Sequence, residues 1–247
     1  MDKEIKESFV KDKLTAILGS INGIFLYDLL WPFLVVVLMK LVLLDKFDGL
    51  VDNHYSVMSS VLMIISMLAT LTAAIFIANP KRMLKAYDKF KKGNIKLIFI
   101  SLGYMFLFSY IYNLILLTSG VDITGGNANQ ENVVSLISEV PILSFISMVI
   151  LAPILEEITY RYFLYGGIAK YNRNAAIVIS GFIFMAVHAI ASFSEGVDNI
   201  GRELLLLPPY MFSGMVLAYA YDKSENLLVS TSIHALNNLI SFIVCFI

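Results

Sequence analysis

The sequence predicts an all-α protein, a polytopic transmembrane helical bundle of about seven spans. Hydrophobic residues make up 58% of the chain and charged residues 15%, against roughly 45–50% and about 25% in a soluble domain. Mean hydropathy is +0.78. Several apolar runs approach or exceed the ~20 residues that a helix needs to cross a bilayer. The net charge of −1 gives no basic footprint for nucleic acid. The single cysteine, Cys245, excludes an internal disulfide.

Residues 1–13 carry four lysines and four acids before a long apolar segment. No short core with a small-residue cleavage site follows, so a retained first helix is expected. Apolar periodicity places the spans at 21–44, 57–79, 95–118, 141–165, 175–192, 204–221 and 227–247. Pro32, next to Trp31, removes a helical hydrogen bond and predicts a break in the first span. Residues 14–27 would then lie at the interface and Asp28 near the headgroups. Pro208-Pro209 predicts a kink in the sixth span that helps to open a cavity. The glycine- and asparagine-rich stretch 119–132 reads as a flexible connection, with a short amphipathic piece at 133–140. His54 reads as a solvated loop residue. No internal repeat or soluble domain is visible. The chain is expected to be one integral membrane domain, 1–247, in which 1–140 carries no motif.

Lysine and arginine bias sets orientation. The stretch 80–96 holds seven basic residues against Asp88 alone, and a further seven fall in the N-terminal arm and at 170, 173 and 223. The alternate connections hold only Lys40, Lys46 and Arg202. A cytoplasmic N-terminus and an outside C-terminus are therefore expected, with the lysine-rich stretch touching anionic lipid.

Against this background three apolar helices carry ionisable groups, which are costly at membrane depth and are functional candidates there. The first has Glu156, Glu157 and Arg161, the next His188, and the last His234. Counting 1.5 Å per residue from the inner span ends puts Glu156 at ~15 Å, His188 at ~20 Å and His234 at ~10 Å, so one shared site opening towards the cytoplasm is expected. Glu157 and Arg161, four apart, share a helix face and can pair, while Glu156 points about 100° away. Phe184 stands four before His188 and is taken as packing that positions it. Asn238 stands four after His234, so an imidazole and an amide face one way and suit a developing oxyanion; Asn237 does not share that face. A carboxylate beside an imidazole can take a proton from water and return it to a leaving amine. Ser232 lies on another face from His234 and Cys245 is near the chain end, so no side-chain nucleophile is invoked. The chemistry suggested is water attack on an amide.

Glu-Glu-x-x-x-Arg at 156–161, Phe-x-x-x-His at 184–188 and His-x-x-x-Asn at 234–238 resemble, in order and spacing, the type II CAAX prenyl endopeptidase family. It is also called the CPBP or Abi family of intramembrane proteases. The resemblance covers about residues 141–247, the expected catalytic core. It implies a helical intramembrane fold with a conical, cytoplasm-facing cavity and no cofactor. Glu156 and His188 would activate water, His234 and Asn238 would form the oxyanion hole, and Glu157 and Arg161 would support them. The implied substrate is a membrane-associated peptide or protein cut near the cytoplasmic face of, by composition, a bacterial membrane.

Three rivals remain open. Glu156, His188 and His234 suit a catalytic zinc, although no His-Glu-x-x-His is present. Members of the family also serve as bacteriocin self-immunity factors or membrane signalling partners without cleaving anything. A transporter is the third, and predicts solute flux into proteoliposomes.

Overall fold

The computed structural model describes residues 10, 12–35, 37, 51–88, 90–124, 126–194 and 200–246, without the side chains of 51–55 and 191–194. Among these residues there are helices and turns and no strand. The helices are α1 (Lys13–Val35), α2 (Val51–Ala78), α3 (Pro80–Tyr87), α4 (Lys92–Thr118), α5 (Ala128–Glu139), α6 (Pro141–Ala169), α7 (Arg173–Ser194), α8 (Ile200–Leu206), α9 (Pro208–Ser224) and α10 (Leu227–Val244). Seven spans among the described residues are long and apolar enough to cross a membrane: α1, α2, α4, α6, α7, α8 with α9, and α10. The protein is an all-α polytopic membrane bundle.

Local chemistry starts each helix where it begins. Asp12, Asn79, Asn127 and Asn226 accept from the backbone N–H of Thr15, Lys81, Gln130 and Leu228, satisfying donors that the first helical turn leaves free. Proline occupies the first turn of α3, α6 and α9, where its missing donor costs nothing.

The first span runs further toward the N-terminus than the predicted 21–44, and 38–50 lie outside the described residues, as does the His54 side chain. The predicted break at Trp31-Pro32 does not occur. Residues Ile21–Leu30 form wider turns instead, and the Trp31 N–H bonds Leu26 O five residues back. Such turns relieve a proline without ending the helix. Residues 14–27 are therefore helix packed on the bundle, and Asp28 lies within the span. The same device flanks the Glu156-Glu157 turn of α6. Wide turns cover Phe145–Leu151 and Ile158–Tyr165, with Ala152 N–H on Ser147 O and Gly166 N–H on Arg161 O. Pro153 sits just after the first of them. The kink expected at Pro208-Pro209 is a full interruption at Leu207, where α8 stops and α9 starts.

Two close helix crossings set the frame. A Cβ on Gly19 or Gly23 would stand 2.2 Å from the Phe163 ring or 2.0 Å from the Thr159 side chain, so α1 lies directly on α6. A Cβ on Gly214 would meet the Gly181 Cα at 2.9 Å, so α7 and α9 touch almost backbone to backbone. Gly214→Leu should cost about 1–3 kcal/mol through overpacking. A lower Tm in detergent checks this, and an unchanged Tm contradicts the close crossing.

The two ends of the bundle differ. At the end of the basic connections, Phe163, Tyr165, Tyr221 and Leu227 are fully buried and pack with Met83 and Ala86 of α3. Tyr165 donates its hydroxyl proton to Asp222, Arg173 pairs with Asp222 at 3.2 Å, and Asn226 donates to Tyr87 O and Asp88 O. At the other end the α4–α5 connection is pinned rather than loose. Arg202 donates to Asp122 O at 3.0 Å, Thr124 O at 2.7 Å and Gly126 O at 2.8 Å, and Glu203 accepts from Ala128 N–H. Helix α5 accordingly begins at Ala128, ahead of the expected 133.

Candidate active site

Helices α6, α7 and α10 bring the three motifs together. Glu157 and Arg161 are fully buried and paired at 3.0 Å across one turn of α6. The other Glu157 oxygen lies 3.0 Å from His234 Nδ1. An ionised carboxylate only accepts, so His234 Nδ1 carries the proton and Nε2 is turned toward Glu156, 3.8 Å from its Oε2. Glu157 thereby fixes the ring plane of His234 through Nδ1, as a carboxylate does for a working histidine.

Phe184 does more than fill space. Its carbonyl accepts from His188 Nδ1 at 2.8 Å, which leaves His188 Nε2 as the ring's free nitrogen. Its ring lies under the Arg161 guanidinium at 5.1 Å and against His188 at 4.5 Å. That cation–π contact helps to hold a charge whose Nη atoms reach no hydrogen-bond acceptor among the described residues. Asn238 donates to Met148 O at 2.9 Å and its Oδ1 faces Asn237 Nδ2 at 3.4 Å. The amide is thus oriented, with one N–H left over. Asn237, set aside on helical phase, lines the same cavity.

Glu156, Phe184, His188, His234 and Asn238 share a cavity of about 730 Å³. One Glu156 oxygen is buried yet accepts no hydrogen bond among the described residues. Buried polar atoms are rarely left so, and a catalytic role is one of the accepted reasons. The cavity runs from these residues past Ser144, Asn113 and Tyr210 to Asn127, Asn129 and Gln130 at the α4–α5 connection. It therefore opens at the end opposite the basic connections. The half of the bundle on the side of those connections is filled by buried aromatic residues.

Several contributors escaped the sequence reading. Tyr210 packs its ring against His188, centroids 4.6 Å apart and planes tilted by 35°, and its hydroxyl meets Asn127 Oδ1 at 3.4 Å and Asn129 Nδ2 at 3.5 Å, so the mouth of the cavity touches the histidine through one ring. Asp28 of α1 accepts from the Tyr160 hydroxyl at 2.6 Å and is an electrostatic neighbour of Glu156, while Tyr27 lines the cavity. Asp28 carried the same signal as Glu156, an acid in an apolar run. The supposed break at Pro32 hid it. Asp28→Ala should cost about 1–3 kcal/mol by orphaning the buried Tyr160 hydroxyl, with Asp28→Asn retaining most of it. Thermal unfolding of both variants checks the difference.

Among the described residues, no three His, Cys, Asp or Glu side chains are arranged to hold a metal ion. In this arrangement the Nδ1 atoms of both histidines are taken, by Phe184 O and Glu157.

A membrane-spanning helical bundle with paired glutamates, two histidines and an asparagine around one intramembrane cavity defines the class: a polytopic protein with a buried acid–base site. Residues 138–240 match the model of the type II CAAX prenyl endopeptidase, Rce1-like family. The chain is also similar to UPF0177 protein YvdC of Lactococcus lactis subsp. lactis, 24% identical over 240 residues, covering 95% of the chain and 85% of that protein. UPF0177 protein YxdF of the same organism is 25% identical over 151 residues, covering 60% of the chain and 77% of its own length. No solved structure gives a significant match.

Proposed function

We propose that this protein is an intramembrane endopeptidase in which a glutamate and a histidine activate water. The observation that carries the reading is the Glu156 carboxylate oxygen, buried and unbonded among the described residues, in a cavity walled by two oriented histidines and an oriented amide. Glu156, assisted by His188 Nε2, takes a proton from water as the water oxygen attacks the peptide carbonyl. His234, its ring aimed by Glu157, faces the developing oxyanion with Nε2, and the remaining Asn238 N–H donates beside it. The proton returns to the leaving nitrogen, the C–N bond breaks, and a carboxylate and an amine leave. Glu157, Arg161 and Phe184 act by holding His234 and His188. No metal is required in this scheme, and the N-terminus is assigned to the cytoplasm by its basic connections.

Purified protein in lipid nanodiscs, mixed with a synthetic peptide library read by mass spectrometry, tests the reading. Wild-type protein should release fragments that Glu156→Gln and His188→Ala do not. Equal fragments from all three would remove the hydrolase. A cellular immunity or signalling phenotype that survives both substitutions would assign the protein a binding role instead.

A further inference from the structure

Resting on the hydrolase reading above, we propose that the substrate is an uncharged, extended peptide segment presented on the extracytoplasmic face of the membrane, rather than a cytosolic tail. Two independent observations converge. Among the described residues, the cavity lining extends to the end that carries the α4–α5 connection, at Asn127, Asn129, Gln130 and Asn113. The opposite end is closed by buried aromatic side chains and by the bonds of Asn226 to α3.

Charge then orients the bundle. Among the described residues, ten lysines and arginines lie in the chain segments at the closed end, Arg202 alone lies at the open end, and Arg161 is buried between them. Basic connections stay in the cytoplasm, so the open end faces away from it. A cavity entered from the cytoplasm would need this bias reversed, or a passage through the packed aromatic half.

The walls indicate what enters. Between the mouth and Glu156 the lining is rich in asparagine, glutamine and serine, and among the described residues its only carboxylate is Glu156 itself. Side-chain amides offer a donor and an acceptor each, matching the alternating N–H and C=O groups of an extended peptide backbone. Among the described residues, nothing basic lines the route to hold a chain-terminal carboxylate. An exported peptide and an external loop of a membrane protein share this chemistry.

The test labels single cysteines in a Cys245→Ser background with a membrane-impermeant maleimide. Ser119→Cys, exposed at the open end, and Ser241→Cys, on the cavity wall, should be labelled in intact cells. Lys85→Cys, exposed on α3, should be labelled only in inverted vesicles. The converse pattern would overturn the proposal without touching the hydrolase reading. Mapping the cuts that depend on Glu156 completes it. Cuts in exported peptides or in external loops support the proposal and say which source applies. Glu156-dependent cuts confined to cytoplasmic segments would overturn it while keeping the hydrolase, and the absence of any such cut would overturn both.

Discussion

Glu156→Gln is expected to lower the rate of peptide hydrolysis by about 10²–10⁴-fold, the usual worth of a positioned general base, and to leave thermal unfolding unchanged. Glutamine has nearly the same shape but cannot take a proton from water. The Glu156 oxygen in question accepts no hydrogen bond among the described residues, so little native bonding is lost. The neighbouring Glu157→Gln should behave differently. That carboxylate holds both Arg161 and His234 at 3.0 Å, so its loss should lower stability and activity together. Rate and Tm measured side by side separate the two glutamates. A Glu156→Gln protein that unfolds as readily as Glu157→Gln would contradict the roles assigned here.

Arg161→Met should cost about 3–5 kcal/mol of stability, because removing one member of a buried pair strands the other charge. Arg161 and Glu157 are both fully buried, so water cannot rescue the orphaned carboxylate. The double variant Glu157→Gln with Arg161→Met strands no charge and should recover much of the loss. Thermal unfolding of the two singles and the double measures this. Additive losses would show that the pair contributes only surface-like attraction, against the geometry.

Much of this was legible in the sequence because a membrane makes polarity conspicuous. Seven apolar runs announced the spans. Glu156, Glu157, Arg161, His188 and His234 stood out as charges or imidazoles within them, and the four-residue spacings put Arg161 on Glu157 and Phe184 against His188. What stayed hidden depended on three dimensions. Pro32 suggested a break, yet wide turns carry α1 past it and deliver Asp28 to Tyr160. Gly19 and Gly23, four apart, were a readable close-packing signal whose partner on α6 was not. Helical phase separated Asn237 from Asn238, but a cavity of this size takes in both. Arg202 counted as a loop charge, whereas its three backbone bonds turn the α4–α5 connection into the rim of the cavity. The direction of opening was expected from the counted depths as well as from the resemblance, and the filled aromatic half of the bundle lies at the end of the basic connections.

The central claim is that Glu156 performs chemistry on a peptide bond within the membrane. The most direct measurement compares protein termini in membranes of cells making the wild-type chain or Glu156→Gln at matched levels. New termini present with the wild-type chain and absent with the variant are the predicted result, and they would identify the substrate at once. Identical termini in both, with the variant folded and inserted, would contradict the account.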